Sequence, residues 1–145
     1  MKLDPPKAGS VIRYSYLWSR EAAAGAEEGR KDRPTVVLTL VVRVAKDRTD
    51  VVSLAVSHSR PAKSTDAVQI PESTKRELGL DDLPSFIVTT EANAFRWPGP
   101  DVRPIPNRSP ATFVYGRLPE NLMRKVAAQF LANRARGTPV VRRTR

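Results

Sequence analysis

The sequence has 145 residues, no cysteine and a formal net charge of +10 at pH 7. A chain of this length can bury the core of one domain without disulfides or metal, and the lack of cysteine excludes a disulfide framework, a zinc–thiolate site and an iron–sulfur cluster. It contains neither a run of about 18 apolar residues nor the apolar stretch of a signal peptide, so we expect a cytoplasmic protein without membrane contact.

The positive charge is concentrated toward the C-terminus. Residues 1–102 carry 15 basic and 14 acidic groups, whereas residues 103–145 carry 10 basic groups and a single acidic one, Glu120. A field of this sign favours a polyanionic partner such as RNA, DNA or an acidic protein. The alternative is a basic segment that serves solubility alone.

The N-terminal part predicts one strand and one long loop. Residues 1–8, which include Pro5 and Pro6, predict an unstructured lead-in. Aromatic and β-branched residues alternate loosely over residues 9–18, which predicts a strand with one aromatic face. Residues 19–30 are polar and rich in Ala and Gly, which predicts a long, mobile loop with room for one helical turn.

The most apolar segment of the chain follows directly after a cationic turn. Residues 35–44 are rich in Val, Leu and Thr and contain no Gly or Pro, which predicts a central strand covered on both faces. Pro34 suits the first position of such a strand and biases Arg33 toward an extended backbone. Arg33 would then be held at the start of a rigid strand, in a position to bind an anion. The alternative is that Arg33 is a solvated charge that precedes the strand.

A second apolar strand follows a charged turn. Residues 46–50 form the turn and residues 51–57 the strand, so the two strands are predicted to pair as an antiparallel hairpin. The end of the returning strand lies beside the start of the outgoing one. We therefore expect Ser57, His58 and Ser59 to lie close to Arg33.

The second half of the chain predicts short elements and one longer helix. In chain order these are an edge strand within residues 64–70, a short helix at 73–78 ended by Gly79, a strand at 86–88, a proline-rich loop at 97–110, a strand at 113–116 and a helix that opens at Pro119. The helix carries an apolar stripe formed by Leu122, Val126 and Phe130, flanked by Met123, Ala127 and Leu131. We expect residues 1–136 to form a single domain and residues 137–145 a mobile basic tail.

Three segments of the chain follow one another in a recognisable order: Gly9-Ser10-Val11, then Lys31-Asp32-Arg33-Pro34 with its valines, then Leu54-Ala55-Val56-Ser57-His58-Ser59. They resemble the MazF/PemK toxin family of bacterial toxin–antitoxin pairs. That family has Gly-Asp-Val/Ile, then Lys-x-Arg-Pro followed by valines, then a strand ending in Pro-x-Thr-Ser or similar. The remainder of the chain follows the family only in the order of its elements.

The resemblance implies a mainly β protein, a small SH3-like β-barrel of the MazF/PemK/CcdB type with a C-terminal amphipathic helix, usually a homodimer. It also implies a type II toxin that cleaves single-stranded RNA without metal and is silenced by an antitoxin. In such a reaction the 2′-hydroxyl of the RNA attacks the neighbouring phosphate. The family's catalytic Arg falls on Arg33, and its Thr falls on Ser57, which would orient or polarise the phosphate.

The residue chemistry adds further candidates. The planar fork of Arg33 matches phosphate oxygens, and His58, the only histidine, is the best proton carrier because an unperturbed imidazole titrates near pH ~6.5. Strand alternation puts Ser57 and His58 on opposite faces unless the strand has ended, so a surface or structural role for His58 stays open. The candidate catalytic residues are Arg33, Ser57 and His58, and the candidate RNA-binding residues are Lys31, Ser59, Arg60, Trp18 and Trp97.

Tyr14, Tyr16, Trp18 and Trp97 could stack on RNA bases; the alternative is that most of them lie in the core, and we expect only Trp97 to be largely exposed. A lone histidine without clustered carboxylates provides no ligand set for zinc or magnesium, and no Gly-rich phosphate loop or nucleophile elbow is present, so we expect no metal and no cofactor. Two alternatives remain on the same barrel. One is a non-catalytic nucleic-acid- or protein-binding module, a degenerate toxin; the other is a CcdB-like inhibitor of gyrase.

Overall fold

The structure, a computed structural model, describes residues 4–144. These residues form eight strands and three α-helices, which in chain order are β1 Ser10–Tyr14, α1 Ser19–Ala23, β2 Arg33–Arg43, β3 Arg48–Ser57, β4 Ala67–Gln69, α2 Glu72–Leu78, β5 Phe86–Val88, β6 Ala92–Trp97, β7 Val114–Arg117, α3 Glu120–Ala135 and β8 Val140–Arg142. Residues 4–8 of the predicted lead-in have no regular structure, and residues 1–3 lie outside the described chain.

The strands join into one sheet that is antiparallel except at its last strand. Its main path runs β4–β5–β3–β2–β1–β7, and β6 pairs with both β3 and the parallel β8. Strand β3 pairs with β2 over most of its length, with β6 over its first half and with β5 at its end. The predicted mainly β fold with a C-terminal helix is confirmed, although within residues 4–144 no strand pair closes the sheet into a complete barrel.

Both faces of β1 and of the first half of β2 are covered. Val11 and Val36 belong to an aliphatic cluster with α2 and α3, whereas Ile12 and Val37, their next neighbours, belong to an aromatic cluster. This division follows from the two-residue period of a strand, because successive side chains point to opposite faces. The aromatic cluster consists of Ile12, Tyr14, Tyr16, Val37, Val51, Ala55, Phe95 and Trp97.

The prediction that β2 is covered on both faces is correct for its first half and wrong for its second. Thr35, Val36 and Val37 are fully buried. In contrast, Val42 is 68% exposed, and Val44, which lies just after the strand, is 85% exposed. The reason lies in the pairing: β1 reaches only as far as Val36, and a bulge follows in the β2–β3 ladder. Beyond it, β2 pairs with β3 alone, so that the tip of the hairpin projects from the sheet.

Helix α3 follows Pro119 and packs its predicted stripe onto the sheet. Val126 is fully buried, Phe130 is 5% exposed, and Leu122 packs against the same aliphatic cluster. Leu131, predicted to flank the stripe, is instead 64% exposed, because it is turned about 100° from Phe130 around the helix axis. Among residues 4–144 no helix is long and apolar enough to cross a membrane.

The predicted mobile tail is wrong for residues 138–144. After Gly137 the chain forms β8, which pairs with β6, and the Arg143 side chain is completely buried. Arg143 Nη2 lies 2.9 Å from the carboxylate of Asp101, and its Nη1 donates to the Tyr14 hydroxyl at 2.8 Å and to the Ser15 carbonyl at 2.7 Å. The basic composition of this segment therefore does not show that one of its arginines, Arg143, forms an ion pair in the interior. Arg145 lies outside the described residues.

Substitution of this buried arginine should lower stability strongly. Arg143→Ala removes the closer cation from the buried Asp101 carboxylate, so we expect the free energy of unfolding to fall by about 3 kcal/mol. The control is Arg142→Ala, which changes the exposed neighbour and should shift stability by no more than about 0.5 kcal/mol. Urea denaturation followed by circular dichroism measures both, and equal midpoints would show that the C-terminal segment is a free tail after all.

Candidate active site

The β2–β3 hairpin brings together two side chains from distant parts of the sequence. Arg33 is the first residue of β2, and Ser57 is the last residue of β3. Thr35 lies opposite Ala55, and the same antiparallel register continued by two residues places Arg33 opposite Ser57. Arg33 Nη1 donates to the carbonyl oxygen of Val56 at 3.5 Å. The predicted meeting of Arg33 with the end of β3 is therefore found.

Arg33 and Ser57 line a pocket of about 870 Å³. Its wall is formed mainly by the segment between β1 and β2, by the end of β3 and by the segment after α2. Five Lys and Arg side chains and three carboxylates border it, namely Arg13, Arg20, Arg30, Lys31, Arg33, Glu21, Asp32 and Asp81. This excess of cations suits an anionic ligand.

The Arg33 guanidinium is partly buried and makes no salt bridge to any residue that the structure describes. Its Nε is shielded from solvent and has no hydrogen-bond partner among residues 4–144. Burial lowers the pKa of Arg33, while the nearby Glu21 carboxylate opposes that shift, and an arginine keeps its charge at any physiological pH. Arg33 is thus a positioned cation that no carboxylate of residues 4–144 contacts.

Trp18 presents its ring to the pocket between two cations. The guanidinium carbon of Arg33 lies 5.0 Å from the ring centroid and that of Arg20 lies 5.2 Å from it, both within cation–π range. The backbone N–H of Trp18 donates to Glu21 Oε1 at 3.0 Å, and its ring packs edge-on against Tyr16 at 5.0 Å. These contacts hold Trp18, one of the predicted RNA-binding residues, as a partly exposed aromatic surface in the pocket wall.

The loop that carries this wall is anchored at both ends. At its start, Ser19 donates from its backbone N–H and its hydroxyl to the Glu91 carboxylate, each at 2.9 Å. Toward its end, Arg143 Nη2 donates to the carbonyl of Glu27 at 3.1 Å. Gly29 packs so closely on the backbone of Tyr16 that a Cβ there would collide with its carbonyl. Gly29 belongs to the loop whose glycine content predicted mobility, but the structure shows that it is needed for a close backbone contact.

Ser57 and His58 both reach the pocket because β3 ends between them. Beyond Ser57 the strand alternation no longer holds, and Ser57, His58 and Ser59 all line the pocket. The Ser57 hydroxyl accepts a hydrogen bond from the Ser59 backbone N–H at 3.1 Å. His58 Nε2 lies 2.8 Å from Asp81 Oδ2, and the other oxygen of Asp81 lies 2.8 Å from Lys75 Nζ.

Asp81 remains ionised despite its partial burial. Burial acts to raise its pKa, but the hydrogen bond from Lys75, the neighbouring His58 and the Leu83 N–H together hold the pKa of Asp81 below its ordinary value. The carboxylate is half-exposed, whereas the Lys75 side chain is only 5% exposed. A buried ammonium therefore sets the position of a carboxylate at the pocket edge.

The predicted RNA-binding residues divide into two groups. Lys31, Ser59 and Trp18 line the pocket. Arg60 does not, because its guanidinium packs over the Phe86 ring, 5.6 Å from the centroid. The local sequence around Arg60 does not show whether its side chain turns toward the pocket or toward Phe86.

The prediction that Trp97 is exposed is wrong. Trp97 is the last residue of β6, lies opposite Thr49 and is only 6% exposed. Its ring packs at 5.4 Å from Phe113 and belongs to the aromatic cluster. The prolines that follow it shape the loop, but the ring itself still faces the core, so Trp97 offers no surface to a nucleic acid.

Several residues of the site escaped the sequence-based prediction, among them Glu21, Arg20 and Asp81. Glu21 follows Trp18 by three residues. This spacing is typical of a glutamate that caps the start of a helix, so the contact of Glu21 with the Trp18 N–H could have been predicted. In the sequence, Arg20 is only one of several charged residues in a polar loop, and nothing there indicates its contact with Trp18. Asp81 follows α2 and Gly79, and its proximity to His58 depends on long-range packing that no local pattern encodes.

In the described part of the chain, no three His, Asp or Glu side chains stand close enough together to hold a metal ion.

Comparison with known proteins identifies the fold. No protein-family model matches the sequence, and no curated protein matches it. Among solved structures, the fold is similar to that of an "Endoribonuclease in complex with its cognate antitoxin from Mycobacterial species", with a TM-score of 0.54 and 16% identity over 90% of this chain and 96% of that one. At this identity the similarity establishes the fold alone.

The two tryptophans of the chain should differ in solvent access. Trp18→Phe leaves only the buried Trp97, whose fluorescence we expect acrylamide to quench weakly; Trp97→Phe leaves Trp18, which we expect to be quenched several-fold more efficiently. Acrylamide is neutral, so the cationic pocket does not bias the result. In denaturing urea both variants should be quenched alike, and stronger quenching of Trp97 in the folded protein would contradict this arrangement.

Proposed function

We propose that this protein is a metal-independent endoribonuclease of the toxin–antitoxin type that cleaves single-stranded RNA. The observation that carries the proposal is the meeting of Arg33, Ser57 and His58 in one cationic pocket beside Trp18. The fold similarity to an endoribonuclease that forms a complex with its antitoxin supports the same class of activity.

The chemistry requires a proton acceptor, a proton donor and a cation, and the pocket offers residues for the first and the last. Cleavage through the 2′-hydroxyl needs a base that takes the proton of that hydroxyl, a proton for the leaving 5′-oxygen, which water would supply here, and a cation that stabilises the extra negative charge on the phosphate. His58 would accept the proton, Ser57 would contact the phosphate, and Arg33 would stabilise the charge with its planar fork. Because Ser57 already accepts a hydrogen bond from the Ser59 N–H, its own proton is free to be donated to a phosphate oxygen.

The remaining wall of the pocket would hold the RNA chain. Lys31 and Ser59 lie where they can contact neighbouring phosphates, and the Trp18 ring offers a stacking surface for one base. The two arginines that flank Trp18 would keep the phosphodiester close to that base. We propose an antitoxin protein as the regulatory partner and a homodimer as the assembly, both on the basis of the family resemblance.

The direct test is RNA cleavage in the presence of EDTA. Wild-type protein should yield fragments ending in 2′,3′-cyclic phosphate, and Arg33→Ala should lower the rate by about 10²–10³-fold because the developing phosphate charge loses its cation. The matched control is Arg124→Ala on α3, an exposed arginine that pairs with Glu120 in the i,i+4 relation and does not line the pocket, and this variant should cleave at the wild-type rate. Gel separation of a long 5′-labelled RNA measures all three proteins.

Other outcomes would assign the fold to a different activity. RNA that stays intact but binds in a salt-sensitive manner would favour the non-catalytic binding module. Intact RNA together with inhibition of gyrase would favour the CcdB-like function. Cleavage that is abolished by EDTA, or that is unchanged in Arg33→Ala, would refute the proposed mechanism.

A further inference from the structure

A row of three charged or titratable side chains runs from the interior to the pocket. Lys75 lies on α2, Asp81 in the segment that follows α2, and His58 just after β3. Each junction is short: Lys75 Nζ lies 2.8 Å from Asp81 Oδ1, and His58 Nε2 lies 2.8 Å from Asp81 Oδ2. One carboxylate therefore joins a buried ammonium to an imidazole of the proposed active site.

The inner end of this row is firmly fixed. The Lys75 side chain is 5% exposed, and its ammonium also donates to the carbonyl of Leu83. The Leu83 backbone N–H donates to Asp81 Oδ1 at 3.1 Å, the same oxygen that Lys75 contacts. A half-exposed carboxylate would ordinarily sample several rotamers, but these two donors restrict Asp81 and leave Oδ2 turned toward His58.

This arrangement determines where neutral His58 carries its proton. An ionised carboxylate can only accept hydrogen bonds, so the imidazole nitrogen that contacts it, Nε2, must carry the hydrogen. The other nitrogen, Nδ1, then has a free lone pair. That is the state which a general base requires, and the His58 side chain that carries Nδ1 is half-exposed and lines the pocket.

We propose that Asp81, held by Lys75, is the positioning residue that selects the basic tautomer of His58. The proposal rests on the proposed function. In the cleavage step, His58 Nδ1 takes the proton of the 2′-hydroxyl as O2′ bonds to phosphorus. The bond from phosphorus to O5′ breaks, and the 5′-oxygen takes a proton from water. The products are a 2′,3′-cyclic phosphate and a 5′-hydroxyl, and the imidazolium later returns its proton to solvent.

Asp81→Asn distinguishes this role from a merely structural one. Lys75 only donates, so the amide oxygen of the asparagine should turn to Lys75 and its NH₂ to His58. His58 would then accept at Nε2 and carry its proton on Nδ1, the wrong tautomer for a base. Because the chain has a single histidine, ¹⁵N chemical shifts of the imidazole report this tautomer without overlap. We expect the Nε2–H form in the wild type and the Nδ1–H form in Asp81→Asn, with Asp82→Asn, the exposed neighbour, unchanged.

The kinetic test is a double-mutant cycle on RNA cleavage. His58→Ala and Asp81→Asn should each lower kcat by about 10²-fold or more with little change in KM, and the double variant should be no slower than His58→Ala alone, because Asp81 acts through His58. Asp82→Asn should retain the wild-type kcat. Circular dichroism and thermal melts confirm that each variant is folded before its rate is measured.

The outcomes separate this proposal from the function on which it rests. No cleavage by the wild-type protein overturns both. Wild-type cleavage that persists in Asp81→Asn, or losses that multiply in the double variant, overturns the role of Asp81 and leaves the nuclease assignment intact. An Nδ1–H tautomer in the wild type also overturns it.

Discussion

The antiparallel register between β2 and β3 is the constraint on which the site depends. It places the first residue of one strand opposite the last residue of the other, so that Arg33 and Ser57 meet although 23 residues separate them in the chain. A shift of one residue would reverse the face of every side chain on β2. That shift is opposed by the core, because Val36 and Val37 pack into two different clusters and a shifted strand would have to repack both of them.

Buried polar groups complete what the register begins, by attaching the loop after β1 to the sheet. Asn93, itself fully buried, exchanges hydrogen bonds with the backbone of Leu17 at 2.9 and 2.7 Å, and Glu91 holds Ser19. Arg143 reaches from the C-terminal segment to the Glu27 carbonyl. A residue that was predicted to lie in a free tail thus supports the wall of the pocket, and the loss of Asn93 would leave the buried backbone groups of Leu17 unsatisfied.

Much of this structure follows from local patterns, and the remainder does not. Apolar runs bounded by turns located β2, β3, β5 and α3, and the hairpin rule placed Ser57 beside Arg33. Trp97 and Arg143 were misplaced because hydropathy and composition do not show whether an aromatic ring after a strand or a cation near a terminus finds a buried partner. Asp81 was missed for a similar reason, as its contact with His58 is created by the packing of α2 against the sheet and not by sequence neighbours.

The pocket also distributes its charges unequally, and this bears on which cation meets a substrate. Arg13 lies 3.8 Å from Asp32 and Arg30 lies 3.7 Å from Glu21, so their charges are partly neutralised. Arg33 makes no such pair with any described residue; its desolvation is partly offset by the Trp18 ring, by the Val56 carbonyl and by the more distant charge of Glu21. An unpaired, partly buried guanidinium gains more from an incoming phosphate than an exposed one does, because its loss of hydration has already occurred on folding. An anion bound at Arg33 would offset the part of the desolvation cost that the contacts of Arg33 in the folded protein do not, and this favours anion binding at that point of the pocket.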